Sequence, residues 1–292
     1  MKRWLGYLWR VPVVAVAFIA LMPVGNALVS ALGLAMPTYE GQVEAGTQAG
    51  LAALGALVLA LGLGLVADRL RRGFYPRWLG LAFFAFVAVG LNTAFEAAAF
   101  TTLDAMSAMI FLFVPSVLGA TAVAAALFGP RSEEAVCHGA YRDFTAQPRA
   151  ALRLLLAWLA FPFVYYLFGM LLMVIRPELM DFYTSGESGL TLPDQGQILQ
   201  LQLIRGGFAL FSISGLLLLW EGGRGAFTVR VGFALWALMG LFGMIQGTWL
   251  DPALRIGHGL EIGCDAFAYT GLVAWLLLPK EQEARTEPEA SS

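Results

Sequence analysis

The chain has 292 residues, of which 59% are hydrophobic and 13% charged, and its net charge is −2; soluble globular domains run at roughly 45–50% and 25%. That composition excludes a soluble domain and predicts an integral membrane protein with the lipid bilayer as its main partner. The basic residues form no patch suited to nucleic acid, and two cysteines, Cys137 and Cys264, are too few for a disulfide framework.

Apolar runs of about 20 residues, the length that crosses a bilayer, fall at 11–35, 47–67, 78–100, 106–129, 154–175, 198–220, 231–249 and 259–278. The expected fold is all-α, a polytopic transmembrane bundle of eight spans. The first run has a basic start and small residues in "VSALGLAMP", but its length of about 25 exceeds the 7–15 of a leader's apolar core, so it reads as a retained helix. The second run carries Ala52, Ala56, Ala60 and Gly64 at four-residue spacing, which admits a close neighbour. Gly243 and Gly247 in the seventh read the same way. Residues 1–130 and 154–279 then form two membrane halves, joined by a cytoplasmic linker at 131–153 and followed by an acidic, disordered tail at 280–292.

An even number of spans puts both termini on one side. Fifteen Lys and Arg residues fall in the loops and tails of that side, and three (Arg176, Arg205 and Arg255) fall toward the other. By the positive-inside rule the termini are cytoplasmic, in a multi-pass protein of the cell membrane, expected to be an inner membrane.

Two turns on the terminal side, "DRLRRGFYPR" and "EGGRGAFTVR", align at an offset of 153: Asp68, Arg71, Phe74 and Arg77 against Glu221, Arg224, Phe227 and Arg230. Pro23 and Pro162 correspond at an offset of 139. The expectation is two parallel four-helix repeats; the competing account is that every inner loop needs arginines. Paired proline-interrupted spans point to a transporter-type site, although membrane helices tolerate proline in general.

Counting residues outward from the charged anchor of each span, at about 1.5 Å each, puts Asn26, Asn92, Ser116, Arg205, Gln246 and Asp265 in one layer about 22–24 Å up. Glu96 and Glu261 come about 28 Å up, and His258 and Arg255 above the boundary. His258, Glu261, Asp265 and Tyr269 follow at helical spacing along one side of the eighth span. Charges within a bilayer cost about 2.5–3.5 kcal/mol at its centre, so Arg205 and Asp265 at equal depth suggest each other as partners. Cys264, beside Asp265, is expected to border the same face.

The H-x-x-E spacing of His258 and Glu261 is compatible with two ligands on a metal, but the other histidine, His138, lies in the linker, so no metal or cofactor is expected. Glu133, Glu134, Cys137 and His138 read as a solvated linker, and the chain lacks a glycine loop set between strand and helix for phosphate.

The preferred reading is a transporter or permease-like protein with an outward-facing polar site for a small molecule or ion between the halves, built from Asn26, Asn92, Glu96, Tyr166, Arg205, Gln246, His258, Glu261 and Asp265. Two alternatives stand beside it. One is a non-catalytic sensor, assembly factor or subunit with a membrane-protein partner, whose polar layer is interhelical glue. The other is an outer-leaflet enzyme acting on a lipid through Asp265, Glu261 and Arg205.

Overall fold

Hydrocarbon offers no hydrogen bond to a peptide group, so a chain this apolar satisfies its backbone internally, as helices. In the computed structural model, which describes residues 2–35, 43–71, 73–101, 106–129, 149–185 and 189–278, eight helices are long and apolar enough to cross a membrane. They are α1 (Lys2–Ala31), α2 (Ala45–Ala67), α3 (Phe74–Phe100), α4 (Met106–Phe128), α5 (Ala150–Ile175), α7 (Gln195–Leu217), α8 (Arg224–Gln246) and α9 (Pro252–Leu277), with a short helix α6 (Leu179–Thr184) between α5 and α7. The protein is a polytopic membrane bundle.

Several helices begin earlier than the apolar runs. Arg10, Arg77, Arg153 and Arg230 lie inside α1, α3, α5 and α8; of these Arg77 is buried and donates to Ala125 O at 3.1 Å, and Arg230 is held by Asp68 and Leu65 O. The linker expected at 131–153 accordingly gives way to helix at Ala150. Its residues 131–148, with Glu133, Glu134, Cys137 and His138, lie outside the described residues, as does the tail 280–292.

The far ends of α7 and α9 are fixed by caps. Asp194 accepts from the Gln197 amide while the Gln197 side chain accepts from the Asp194 amide, a reciprocal capping box. Asp251 caps the Ala253 amide, and Pro252 supplies a preset first helical residue. In α2, Gly64 meets the ring of Phe128 where a Cβ would stand at 2.9 Å, which fits the small-residue seam. Gly243 instead faces open space and is no seam.

The helix limits recur at an offset of 150 residues. Ala45–Ala67 answers to Gln195–Leu217, and Phe74–Ala85 to Arg224–Leu235. A π-helical segment at Phe86–Leu91 answers to one at Trp236–Leu241. This differs from the offset of 153 in the arginine-rich turns, since those charges serve loop chemistry while helix limits follow the packing. Packing crosses between the halves: α2 lies on α1 and α8, while α7 lies on α5 and α3, and the two π segments touch.

At the terminal side the crossing is tied by backbone. Leu70 bridges Trp220 antiparallel. The Arg71 amide donates to Leu219 O and the Glu221 amide to Arg69 O, both at 2.8 Å, and the 150-residue exchange turns one bond into the other. Arg71 pairs with Glu221 and Arg230 with Asp68; Arg230 also donates to Leu65 O at 3.0 Å. The side chains of the first pair are 38% and 45% exposed, those of the second 16% and 10%. Exposed pairs contribute under about 1 kcal/mol, whereas stranding one partner of a buried pair costs several. Arg230→Gln is therefore expected to lower stability by about 2–4 kcal/mol and Arg71→Gln by less than about 1, read from equilibrium unfolding in mixed micelles.

Candidate functional site

Arg205 sits on the buried face of α7, about three turns beyond the Asp194 cap, and its side chain is 6% exposed. A guanidinium so placed needs acceptors, and α3 supplies them. Its Nε donates to Asn92 Oδ1 at 2.9 Å, and Nη2 donates to the same oxygen and, at 2.7 Å, to Glu96 Oε1. Phe161 of α5 covers it, with the guanidinium carbon 5.8 Å from the ring centre. Nη1 is buried with no hydrogen-bond partner among the described residues.

Here the structure departs from the expected Arg205–Asp265 pair: the carboxylate that pairs with Arg205 is Glu96, because α7 crosses onto α3. Asp265 stays within electrostatic reach of Arg205, Glu261 and Glu96, and its Oδ1 is buried without a partner, as is the hydroxyl of Tyr269 one turn further along α9. Cys264 turns away from this face and is exposed, in line with the exposed Ile256 and Leu260 of α9.

At the far end of α9, His258 Nδ1 and Glu261 Oε2 meet in a hydrogen bond at 2.7 Å. His258 Nε2 meets the hydroxyl of Tyr183 from α6. Burial first, and then the charge of Glu261, hold the Tyr183 phenol above its usual range. It stays protonated and donates to Nε2, which leaves the imidazole proton on Nδ1 for Glu261. The chain Tyr183, His258, Glu261 can pass a proton inward, and a phenol held protonated is a poor nucleophile. Gly169 of α5 leaves room for this carboxylate, since a Cβ there would lie 3.1 Å from Glu261 Oε1.

Six of the residues singled out by depth thus cluster between α3, α5, α7 and α9: Asn92, Glu96, Arg205, His258, Glu261 and Asp265. Three do not join them. Asn26 is exposed on the bundle surface; Tyr166 donates to Gln195 O at 3.2 Å; Gln246 donates to Phe242 O at 3.0 Å and accepts at its backbone from Gln48. The cluster gains Tyr165, within reach of Arg205, Glu261, Glu96 and Asp265, as well as Tyr183 and the fully buried Gln202, whose two amide atoms have no partner. Gln202 was open to the same counting argument, being nineteen residues from Glu221, as Glu96 is from Arg77. Tyr183 was not, because it lies in a connection between spans. Among the described residues no group of three or more His, Cys, Asp and Glu is arranged to hold a metal.

The helix offset defines a counterpart position across the bundle. At 150 residues from Arg205, Asn92 and Glu96 stand Gly55, Phe242 and Gln246, and these three also meet: a Cβ at Gly55 would lie 3.0 Å from Gln246 Nε2 and 3.4 Å from the Phe242 ring. Phe242 makes edge contacts with Phe18 and Phe113, at centroid distances of 5.4 and 5.9 Å. One crossing is filled with charge, the other with aromatic rings.

No protein-family model, curated protein or solved structure matches this chain.

A charged cluster required by the helix crossing would resist replacement, and the aromatic counterpart indicates the opposite. Asn92→Phe, Glu96→Gln and Arg205→Gly together are expected to give a protein within about 2 kcal/mol of the parent, whereas Asn92→Phe alone strands the guanidinium and costs about 3–5 kcal/mol. Equilibrium unfolding of the four proteins of this comparison, parent, triple variant, Asn92→Phe and Arg205→Gly, reads the non-additivity directly.

Proposed function

We propose that this protein is a transporter or permease-like membrane protein whose ligand site is the cluster of Asn92, Glu96, Arg205, His258, Glu261 and Asp265, with Gln202, Tyr165 and Tyr183 added. The observation that carries the reading is the contrast between the two crossings. Buried ion pairs are commonly no better for stability than well-packed apolar groups, and Gly55, Phe242 and Gln246 hold an equivalent crossing without a charge. The polarity retained on one side is therefore there for a ligand rather than for the fold.

The recurrence of helix limits and of the bridge at Leu70 and Trp220 supports two parallel four-helix repeats, with the site where the C-terminal half grips α3. The excess of arginine on the terminal side supports cytoplasmic termini, which makes the cluster outward-facing. Tyr183, His258 and Glu261 then form a proton path at its mouth. The tied backbone at the terminal side closes the cytoplasmic end in this conformation, as alternating access requires of an outward state.

A cysteine at Gly169, in a chain carrying Cys137→Ser and Cys264→Ser, reports on access, because its Cβ abuts Glu261. In sealed vesicles of each orientation, a membrane-impermeant maleimide is expected to label it from outside and, in a smaller fraction of molecules, from inside. Labelling from outside alone would overturn transport and leave a binding site. Labelling from neither side, with the unfolded protein reactive, would overturn both.

A further inference from the structure

Below Arg205, toward the terminal side, a shallow crevice runs between α3, α5, α7 and α8; its enclosed space is about 10 Å³, room for roughly one water, and the rest of it opens at the bundle surface. On α7 its wall extends from Arg205 to Ser212, seven residues or about 10 Å along the axis. On α3 it follows the π segment, with Val87, Ala88 and Leu91, to Asn92. Arg205 is its one charged lining residue, at the end toward the far side, and that guanidinium retains Nη1 buried and unpartnered. Phe208, on the same wall, is 38% exposed at the bundle surface.

At the corresponding level the counterpart crossing is tightly packed. Ser212 and Val87 answer to Gly62 and Ala237. There the helices close: a Cβ at Gly62 would stand 3.2 Å from that of Ala237 and 3.1 Å from Ala234 Cα. Small residues shut one crossing and larger ones prop the other open, with a single cationic donor set at one end of apolar walls.

We infer that this crevice binds an amphiphilic anion, its carboxylate or phosphate head on Arg205 Nη1 and one alkyl chain along the π segment of α3. A charge-assisted hydrogen bond fixes the head, and burial of the chain follows from the walls being apolar. A head without a chain leaves the walls empty, and a chain without a charge leaves Nη1 unpaired. The inference rests on the ligand-site reading above and holds whether or not the ligand is moved across the membrane.

The test is native mass spectrometry of the protein released from nanodiscs of zwitterionic phosphatidylcholine, after exposure to decanoate, decanol or acetate. Decanoate is expected as a single adduct, retained about tenfold or more over decanol, the discrimination a charge-assisted bond supplies. Arg205→Gln and Leu91→Trp are each expected to reduce it about tenfold; the second fills the partly exposed wall and keeps the guanidinium, so it tests the crevice even where the first impairs folding. In discs doped with phosphatidylglycerol, an adduct of that lipid lost in both variants assigns the ligand to the bilayer, and decanoate retention without such an adduct assigns it to a free amphiphile. Equal retention of decanol, no retention of decanoate, or an adduct indifferent to Leu91→Trp overturns the inference. Acetate retained without decanoate overturns it too, while leaving a polar ligand site in place.

Discussion

A guanidinium inside hydrocarbon cannot shed its proton and cannot stay bare, so the helices around Arg205 are arranged to surround it. Asn92 and Glu96 take two of its edges, Phe161 takes a face, and the remaining nitrogen is buried without a partner. This one requirement explains which side chains α3 presents where α7 lies against it, while the crossing itself also forms without a charge at Gly55 and Phe242. It also explains why Glu96 is half-exposed while its partner is buried: the acid can reach toward water and still hold a cation that cannot.

The two halves are joined differently at their two ends. On the terminal side the joint is backbone to backbone, a bridge with its hydrogen bonds exchanged by the 150-residue offset and flanked by ion pairs. On the far side a second bridge, Thr101 with Leu190, and the Thr191 amide donating to Phe100 O at 2.9 Å tie the end of α3 to the segment before α7, and beneath it the helix crossings are filled by side chains, charged at one and aromatic at the other. Backbone bonds close to water are cheap to break and remake, because water replaces them. A side-chain joint around a buried charge is not, since separating it exposes the charge to lipid. On the transporter reading proposed above, the buried charge is the place where a ligand changes the balance between conformations, by supplying what the separated groups lose.

Much of this was legible in the sequence. Hydropathy located all eight spans, and counting from charged anchors brought Asn92, Glu96, Arg205, Glu261 and Asp265 to similar depth. Depth is one coordinate, however, and says nothing about which helices adjoin. Asn26 and Gln246 share the layer and stand elsewhere, and Asp265 shares it without pairing with Arg205. Neighbourhood is set by how α2 and α7 cross between the halves, which depends on long-range packing that no local pattern records. Tyr183 was hidden for another reason, as a residue of a connection that reaches the site only because α6 folds over the end of α9. The turns offered a false ruler as well: their arginines repeat at 153, while the helices they join repeat at 150.

The π segments carry a further consequence. A π turn accommodates about one residue more than an α turn, so everything beyond it is rotated by about 100° relative to an uninterrupted helix. Asn92 and Glu96 stand immediately beyond Phe86–Leu91, and their aim at Arg205 is set by that extra residue. The sequences FVAVGL and WALMGL share only the closing Gly and Leu, yet both wind as π. What this stretch of α3 must preserve is therefore its length: substitutions within it leave the pair facing the guanidinium, and the loss of a single residue turns both away while every polar side chain remains in the chain.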